Sequence, residues 1–182
     1  MRFQNIKGTF DILPPTADDR TGPIPPSNEW VAAENRIREV MATYNFGEIR
    51  TPIFEATELI ARGVGELTDI VSKEMFSFSR GDTNYVLRPE LTAPVVRACL
   101  QHNLGQNGTT QKLYYMGPCF RAERPQKGRY RQFHQFGAEL VGVSGPSGDV
   151  EIILLMLSIY KNLGLSDFRL RINSLGNEES RP

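Results

Sequence analysis

The stretch FRAERPQKGRYRQFHQFGAE, residues 120–139, gathers basic side chains at Arg121, Arg124, Lys127, Arg129 and Arg131. The chain as a whole is balanced, with 21 basic and 21 acidic residues in 182, so the excess is local. The stretch reads as the centre of a β-hairpin. KLYYMGPCFRAE (112–123) is one arm, RPQKGRY (124–130) the loop and RQFHQFGAELVG (131–142) the other arm. Side chains alternate across a strand. One face of the return arm therefore carries Arg131, Phe133, Gln135, Gly137 and Glu139, and the other carries Gln132, His134, Phe136, Ala138 and Leu140. The second set is the better core face. On the first arm Arg121 and Glu123 also share a face.

A cation, an aromatic ring, an amide, a gap and a carboxylate in one line form an unusual surface. The ring of Phe133 offers a stacking platform for a base. Gln135 and Glu139 can fix an amine or an imidazole. Arginines bind phosphate oxygens in bidentate fashion. Gly137 leaves room for close approach to the sheet. This chemistry suits a nucleotide and a small polar ligand. A solvated face laced with cross-strand ion pairs would use the same residue types. No GxxxxGK[ST] loop occurs, and GVGELT lacks the third glycine and strand context of a dinucleotide motif. A nucleotide here would be held by side chains on a sheet.

Working outward, residues 14–28 (PPTADDRTGPIPPSN) read as a loop. A helix follows: Trp30, Ala33, Ile37, Val40, Met41 and Tyr44 recur at helical spacing, Ser27 can cap its start and Gly47 lies past its end. EIRTPIFE (48–55) reads as a strand, with Pro52 placing it at an edge, an interface or a bulge. Residues 57–71 form a weaker helix. Met75–Phe78 and Tyr85–Arg88 flank a turn at Arg80-Gly81-Asp82 as a second hairpin. Thr92 and Pro94 open a helix running to about Asn103. A last, strongly apolar helix covers VEIILLMLSIYKNLG, with Asp149 or Ser147 at its start and Gly164 at its end. FRLRIN (168–173) alternates as a half-buried strand. Hairpins interspersed with helices predict an α+β fold, a mainly antiparallel β-sheet flanked by helices.

Composition excludes several classes. Zero net charge argues against a general nucleic-acid-coating protein and leaves room for a focused anion site. Two cysteines, Cys99 and Cys119, and two histidines cannot easily supply a structural zinc site, so no metal ligands are assigned. Both cysteines read as buried thiols. No apolar run is long enough to span a membrane and no signal peptide is visible, which predicts a cytoplasmic protein.

The hairpin resembles the second signature motif (about 112–141) of class II aminoacyl-tRNA synthetases, and its loop and return strand resemble the histidyl-tRNA synthetase family in particular. KGTFDILPP is similar to that family's opening segment, and the helix ending in YNFGEIRTPIFE (motif about 30–55) resembles the first class II motif. KEMFSF, LRPELTAP and LRINSLG follow in the family's order. The resemblance implies a six-stranded antiparallel sheet, a homodimer with Pro52 at its interface, and a two-step reaction. Histidine and ATP, with Mg²⁺ assisting, give histidyl-adenylate, and the histidyl group passes to tRNA(His). Carried over residue by residue, Arg121 contacts the α-phosphate and the amino-acid carboxylate, Glu123 lies near the adenine and Arg129 reaches the distal phosphates. Phe133 lies under the adenine, Gln135 and Glu139 contact histidine, and Glu90 and Thr92 hold its α-amino group. Glu90 in its place could equally favour a helix N-terminus. Arg124 and Lys127 attract ATP or the acceptor end of tRNA, while His134 reads as structural.

The third class II motif, a family segment with a catalytic arginine and tyrosine pair, and the anticodon-binding domain are not found in residues 1–182. The chain is thus expected to be the N-terminal portion of a catalytic domain, with little ligase activity alone. A synthetase-like regulatory subunit of ATP phosphoribosyltransferase is the alternative. Such a protein would be free to lose the motif residues that are retained here.

Overall fold

The computed structural model describes residues 3–15, 24–64, 74–106, 108–173 and 176. The expected segments 16–23 and 65–71, and residues 174–175 of LRINSLG, lie outside the described residues. In chain order the elements are α1 (Ser27–Thr43), β1 (Gly47–Glu48), β2 (Phe54–Ala56), α2 (Thr57–Val64), β3 (Phe76–Arg80), β4 (Thr83–Leu87), α3 (Thr92–Gln101), β5 (Gln111–Phe120), β6 (Gln132–Val141) and α4 (Pro146–Asn162).

The α+β class and the antiparallel pairing hold. The strands form two sheets, ordered β1-β5-β6 and β2-β4-β3, where the resemblance implied one six-stranded sheet. Within the first, β1 runs parallel to β5, while β5 and β6 pair antiparallel from Gln111↔Val141 to Phe120↔Gln132. The second is antiparallel throughout.

α1 buries Ile37, Val40 and Met41, a helical stripe, against Tyr114 of β5 and Leu155 and Ile159 of α4. Pro26 is its N-cap with no side-chain bond, so the expected Ser27 cap is not made. The helix ends through Asn45, held at φ 61°, with the Phe46 amide donating back to the Met41 carbonyl at 2.9 Å. Gly47, expected past the end, belongs to β1. α4 starts after Gly145 with Pro146 in its first turn, where a missing amide costs nothing, and neither Asp149 nor Ser147 caps it by a side-chain bond. It ends, as the sequence indicates, at Gly164 (φ 84°), with the Leu165 amide donating to the Tyr160 carbonyl.

The single strand expected over 48–55 is two short strands in different sheets, with Pro52 between them. Its break is explained by Arg88. That guanidinium donates to the carbonyls of Thr51 (2.8 Å) and Pro52 (3.2 Å), and the Arg88 amide donates to Ile53 (2.9 Å). FRLRIN is not a strand: Phe168, Leu170 and Ile172 are exposed, and among the described residues no strand lies beside them. Alternation marks a face but supplies no ladder partner. Phe168 packs edge-on against Tyr160 at 5.5 Å.

Both faces of the β5–β6 hairpin carry core, which corrects the expectation of one core face and one open face. Tyr114, Met116 and Ala138 pack under α1 and α4. On the opposite side Leu91, Val95 and Cys99 of the α3 region pack on Tyr115, Cys119, Leu113, Phe133 and Val141. That second side is the one predicted to bind ligand, and α3 covers part of it.

Candidate functional site

The side chains predicted for the site converge on the β5–β6 face beneath the start of α3. Glu90 precedes that helix and accepts the Thr92 amide at 2.6 Å and the Ala93 amide at 3.0 Å. A helix start leaves its first amides unpaired, and a carboxylate there also meets the positive end of the helix dipole. Glu90 is therefore the cap of α3, and its two oxygens fix the position of Thr92.

Thr92 Oγ1 lies 3.3 Å from the Tyr115 hydroxyl, and that hydroxyl donates to Glu139 Oε1 at 3.2 Å. Tyr115 is 8% exposed. Burial, with the Glu139 carboxylate adding to it, pushes its phenol up to about 12, so the proton stays on. Tyr115 faces Gly137 across the ladder. A Cβ on Gly137 would stand 2.5 Å from Tyr115 Cζ and nearer still to the hydroxyl. The gap expected at Gly137 exists, and the ring of Tyr115 occupies it.

Gln135 accepts from the Cys119 thiol at 3.4 Å. Burial raises that thiol to about 11, against the opposing pull of Arg88 and Arg121, so it remains a donor. Gln135 Oε1 is thus engaged. Both Cys99 and Cys119 are free and buried, as predicted.

At the other end of the face, Arg121 Nε donates to the Pro89 carbonyl at 3.0 Å, and the guanidinium lies 5.1 Å above the Phe133 ring. Cation and ring hold each other flat. Phe133 is thus an arginine platform here, on the same face that was predicted to stack adenine. Glu123 sits between two arginines, with Arg129 at 3.0 Å and Arg121 at 3.8 Å. Glu123 is 14% exposed and Arg129 is 63% exposed, so the outer partner sits on the loop, which turns through Gly128 at φ 77°.

The opening segment braces this loop. The Gly8 carbonyl accepts the Arg131 amide at 2.7 Å, and Lys7 accepts from the Arg131 guanidinium at 3.3 Å. Phe10 packs edge-on against Tyr130, and Trp30 against His134. His134 thus lies on the α1 side, away from the site. Its imidazole is depressed by burial, which suits the structural reading.

Sequence reasoning missed two residues, Tyr115 and Arg88. Arg88 is 5% exposed and donates to Pro118 (2.9 Å) as well as to Thr51 and Pro52. A Cβ on Gly117 would meet its guanidinium at 2.8 Å. Each of the two is seated over a glycine of the hairpin. Pairing outward from a loop at 124–130 would put Tyr115 opposite Glu139; the true register, with Phe120 opposite Gln132, puts it opposite Gly137. No periodic signal marks Arg88. Among the described residues no three His, Cys, Asp or Glu side chains gather as a metal cluster, and no helix is long and apolar enough to cross a membrane.

Comparison with known proteins places this geometry. A family model for histidyl-tRNA synthetase matches residues 24–176. The chain belongs to the histidyl-tRNA synthetase family. It is 50% identical to a histidine–tRNA ligase of Chloroherpeton thalassium, covering 100% of this chain and 40% of that protein. It is 51% identical to one from Staphylococcus epidermidis, covering 96% of this chain and 39% of that one. The chain thus spans about 40% of the length of the curated relatives it matches. Among solved structures, apo histidyl-tRNA synthetase of S. aureus superposes with a TM-score of 0.70 at 41% identity, over 90% of this chain and 35% of that one. A Bacillus halodurans protein described as an ATP phosphoribosyltransferase regulatory subunit/histidyl-tRNA synthetase also gives 0.70, at 27% identity, over 92% and 40%. The fold shared with that synthetase is the class II one.

Proposed function

We propose that residues 1–182 form the N-terminal portion of the catalytic domain of a histidine–tRNA ligase, acting in the cytoplasm as a homodimer. The observation that carries this reading is the grouping of Glu139, Gln135, Arg121 and Phe133 on one hairpin face with Glu90-fixed Thr92 of α3 above it, in a chain about 50% identical to ligases of that name. In this reading the histidine carboxylate attacks the α-phosphorus of ATP. A carboxylate–phosphorus bond forms, the bond to the β-phosphate oxygen breaks, and pyrophosphate leaves. A 3′-terminal ribose hydroxyl of tRNA(His) then attacks the acyl carbon and releases AMP.

The residues here mainly position reactants and stabilise charge. Arg121, pinned by Pro89 and Phe133, presents its remaining N–H groups to the carboxylate and α-phosphate. Arg129 is exposed enough to leave Glu123 for the distal phosphates, which frees Glu123 toward the adenine amino group. Thr92 takes the α-amino group, with Glu90 as its support, and Glu139 and Gln135 take the imidazole. Mg²⁺ would accompany ATP and would supply neutralisation of phosphate charge. The regulatory-subunit alternative has less support, since relatives near 50% identity carry the ligase name.

The test is ATP–pyrophosphate exchange by the full-length protein carrying this segment. Exchange that needs histidine and ignores glutamine is expected. Exchange indifferent to the amino acid, or none with an intact fold, would sink the proposal.

A further inference from the structure

We propose that Tyr115 is a positioning residue of the histidine site, its hydroxyl joining Thr92 to Glu139 so that the groups for the α-amino end and for the imidazole are set by one relay. The inference rests on the ligase reading. Three observations carry it. The hydroxyl lies 3.3 Å from Thr92 Oγ1 and 3.2 Å from Glu139 Oε1, within reach of both at once. The ring occupies the space that a Cβ on Gly137 would take, so the ring cannot move toward β6. Thr92, in turn, cannot drift, because its amide is held by Glu90 at 2.6 Å.

The direction of the relay follows from proton counting. A phenol has one proton and can accept as well. Glu139 as a carboxylate accepts only, so the phenol proton points to it. The phenol oxygen must then accept the Thr92 hydroxyl proton. Thr92 Oγ1 is left with lone pairs only, which suits an ammonium donor. Glu139 spends Oε1 on Tyr115 and keeps Oε2 for an imidazole N–H. One hydroxyl thus sets Thr92 as an acceptor and aims the carboxylate. A phenylalanine would keep the ring in the glycine gap and lose both effects, leaving Thr92 free to turn its proton toward the ammonium.

The experiment is pyrophosphate exchange by the full-length protein with Tyr115→Phe, Thr92→Val and the pair together. The expected result for each single variant is a histidine KM raised about tenfold, with the ATP KM and kcat within about twofold. The double variant should be no worse than the poorer single one, because both cut the same relay. A wild-type protein without histidine-dependent exchange would overturn the ligase reading and this inference with it. An active wild type with an unchanged histidine KM in Tyr115→Phe would overturn the Tyr115 role alone. So would additive single effects, or a Phe variant whose two KM values, kcat and melting temperature all worsen together, since that marks a packing role.

Discussion

Gly137→Ala is the sharpest test of how this site is built. Alanine in place of a strand glycine with ordinary φ usually stabilises, by up to about 1 kcal/mol, because it narrows the unfolded ensemble. At Gly137 the sign should reverse. The new methyl would sit 2.5 Å from Tyr115 Cζ, where ordinary contact begins at 3.4 Å. The buried ring must retreat by about 1 Å, and overpacking of this kind costs about 1–3 kcal/mol. The retreat also breaks hydrogen bonds of 3.2 and 3.3 Å that have no slack, at about 1 kcal/mol each. The expected destabilisation is about 2–4 kcal/mol, read from urea unfolding followed by circular dichroism. Gly47→Ala is the control, since a Cβ there meets only the Lys112 carbonyl, at 3.9 Å. In a Tyr115→Leu background the cost of Gly137→Ala should shrink below about 1 kcal/mol, as a direct clash requires. A Gly137→Ala midpoint equal to wild type would refute the reasoning, and so would an equal cost in both backgrounds.

Further outcomes follow from the same contacts. Arg88→Lys strands the Pro118, Thr51 and Pro52 carbonyls and should cost about 3 kcal/mol or more in urea unfolding, because a lone ammonium cannot span all three. Glu90→Ala removes the acceptor of two α3 amides and should cost about 1 kcal/mol, together with weaker histidine binding by calorimetry. Stability should fall in alkali. The Cys119 thiol rises from 9.0 to about 11 and the Tyr115 phenol from 10.0 to about 12, so the unfolded chain releases these protons first. Both contributions are whole below pH 9 and are lost across pH 9–11 and 10–12, by at most about 2–3 kcal/mol each. Cys119→Ala should flatten the first step and Tyr115→Phe the second, in unfolding midpoints followed against pH.

What could be read in the residues was whatever local spacing determines. The β5–β6 hairpin follows from alternation and a charged loop, and α1 and α4 follow from apolar stripes. The grouping of Arg121, Phe133, Gln135, Gly137 and Glu139 on one face is a matter of parity, and it stands. The misreadings concern partners. Alternation in 168–173 states which side chains share a face but not what pairs with them. EIRTPIFE has strand composition, yet Arg88, more than thirty residues away, claims the carbonyls of Thr51 and Pro52. Gly137 announced a gap correctly and could not announce its occupant. The packing of α3 over part of the predicted ligand face was likewise invisible, because a helical stripe does not say which sheet it meets.

The two glycines within β5 and β6 give the site its logic. Gly117 seats Arg88 and Gly137 seats Tyr115, and the register pairs them with Gln135 and Tyr115 respectively. The long side chains that fill these gaps arrive on the face predicted to bind ligand, and the Tyr115 contacts that tie β5 to α3 also set the positions of Thr92 and Glu139. Stability and pre-organisation at this end come from the same atoms, and a ladder of paired strands is a rigid place to put them. The end proposed for phosphate is built differently. Arg129 is 63% exposed and tied by one carboxylate that also faces Arg121. An exposed pair of this kind is held by about 1 kcal/mol or less. Under the proposed assignment, a rigid amino-acid end beside a loosely held phosphate end is the arrangement expected if histidine is read first by fixed groups and ATP then draws the loop arginine across.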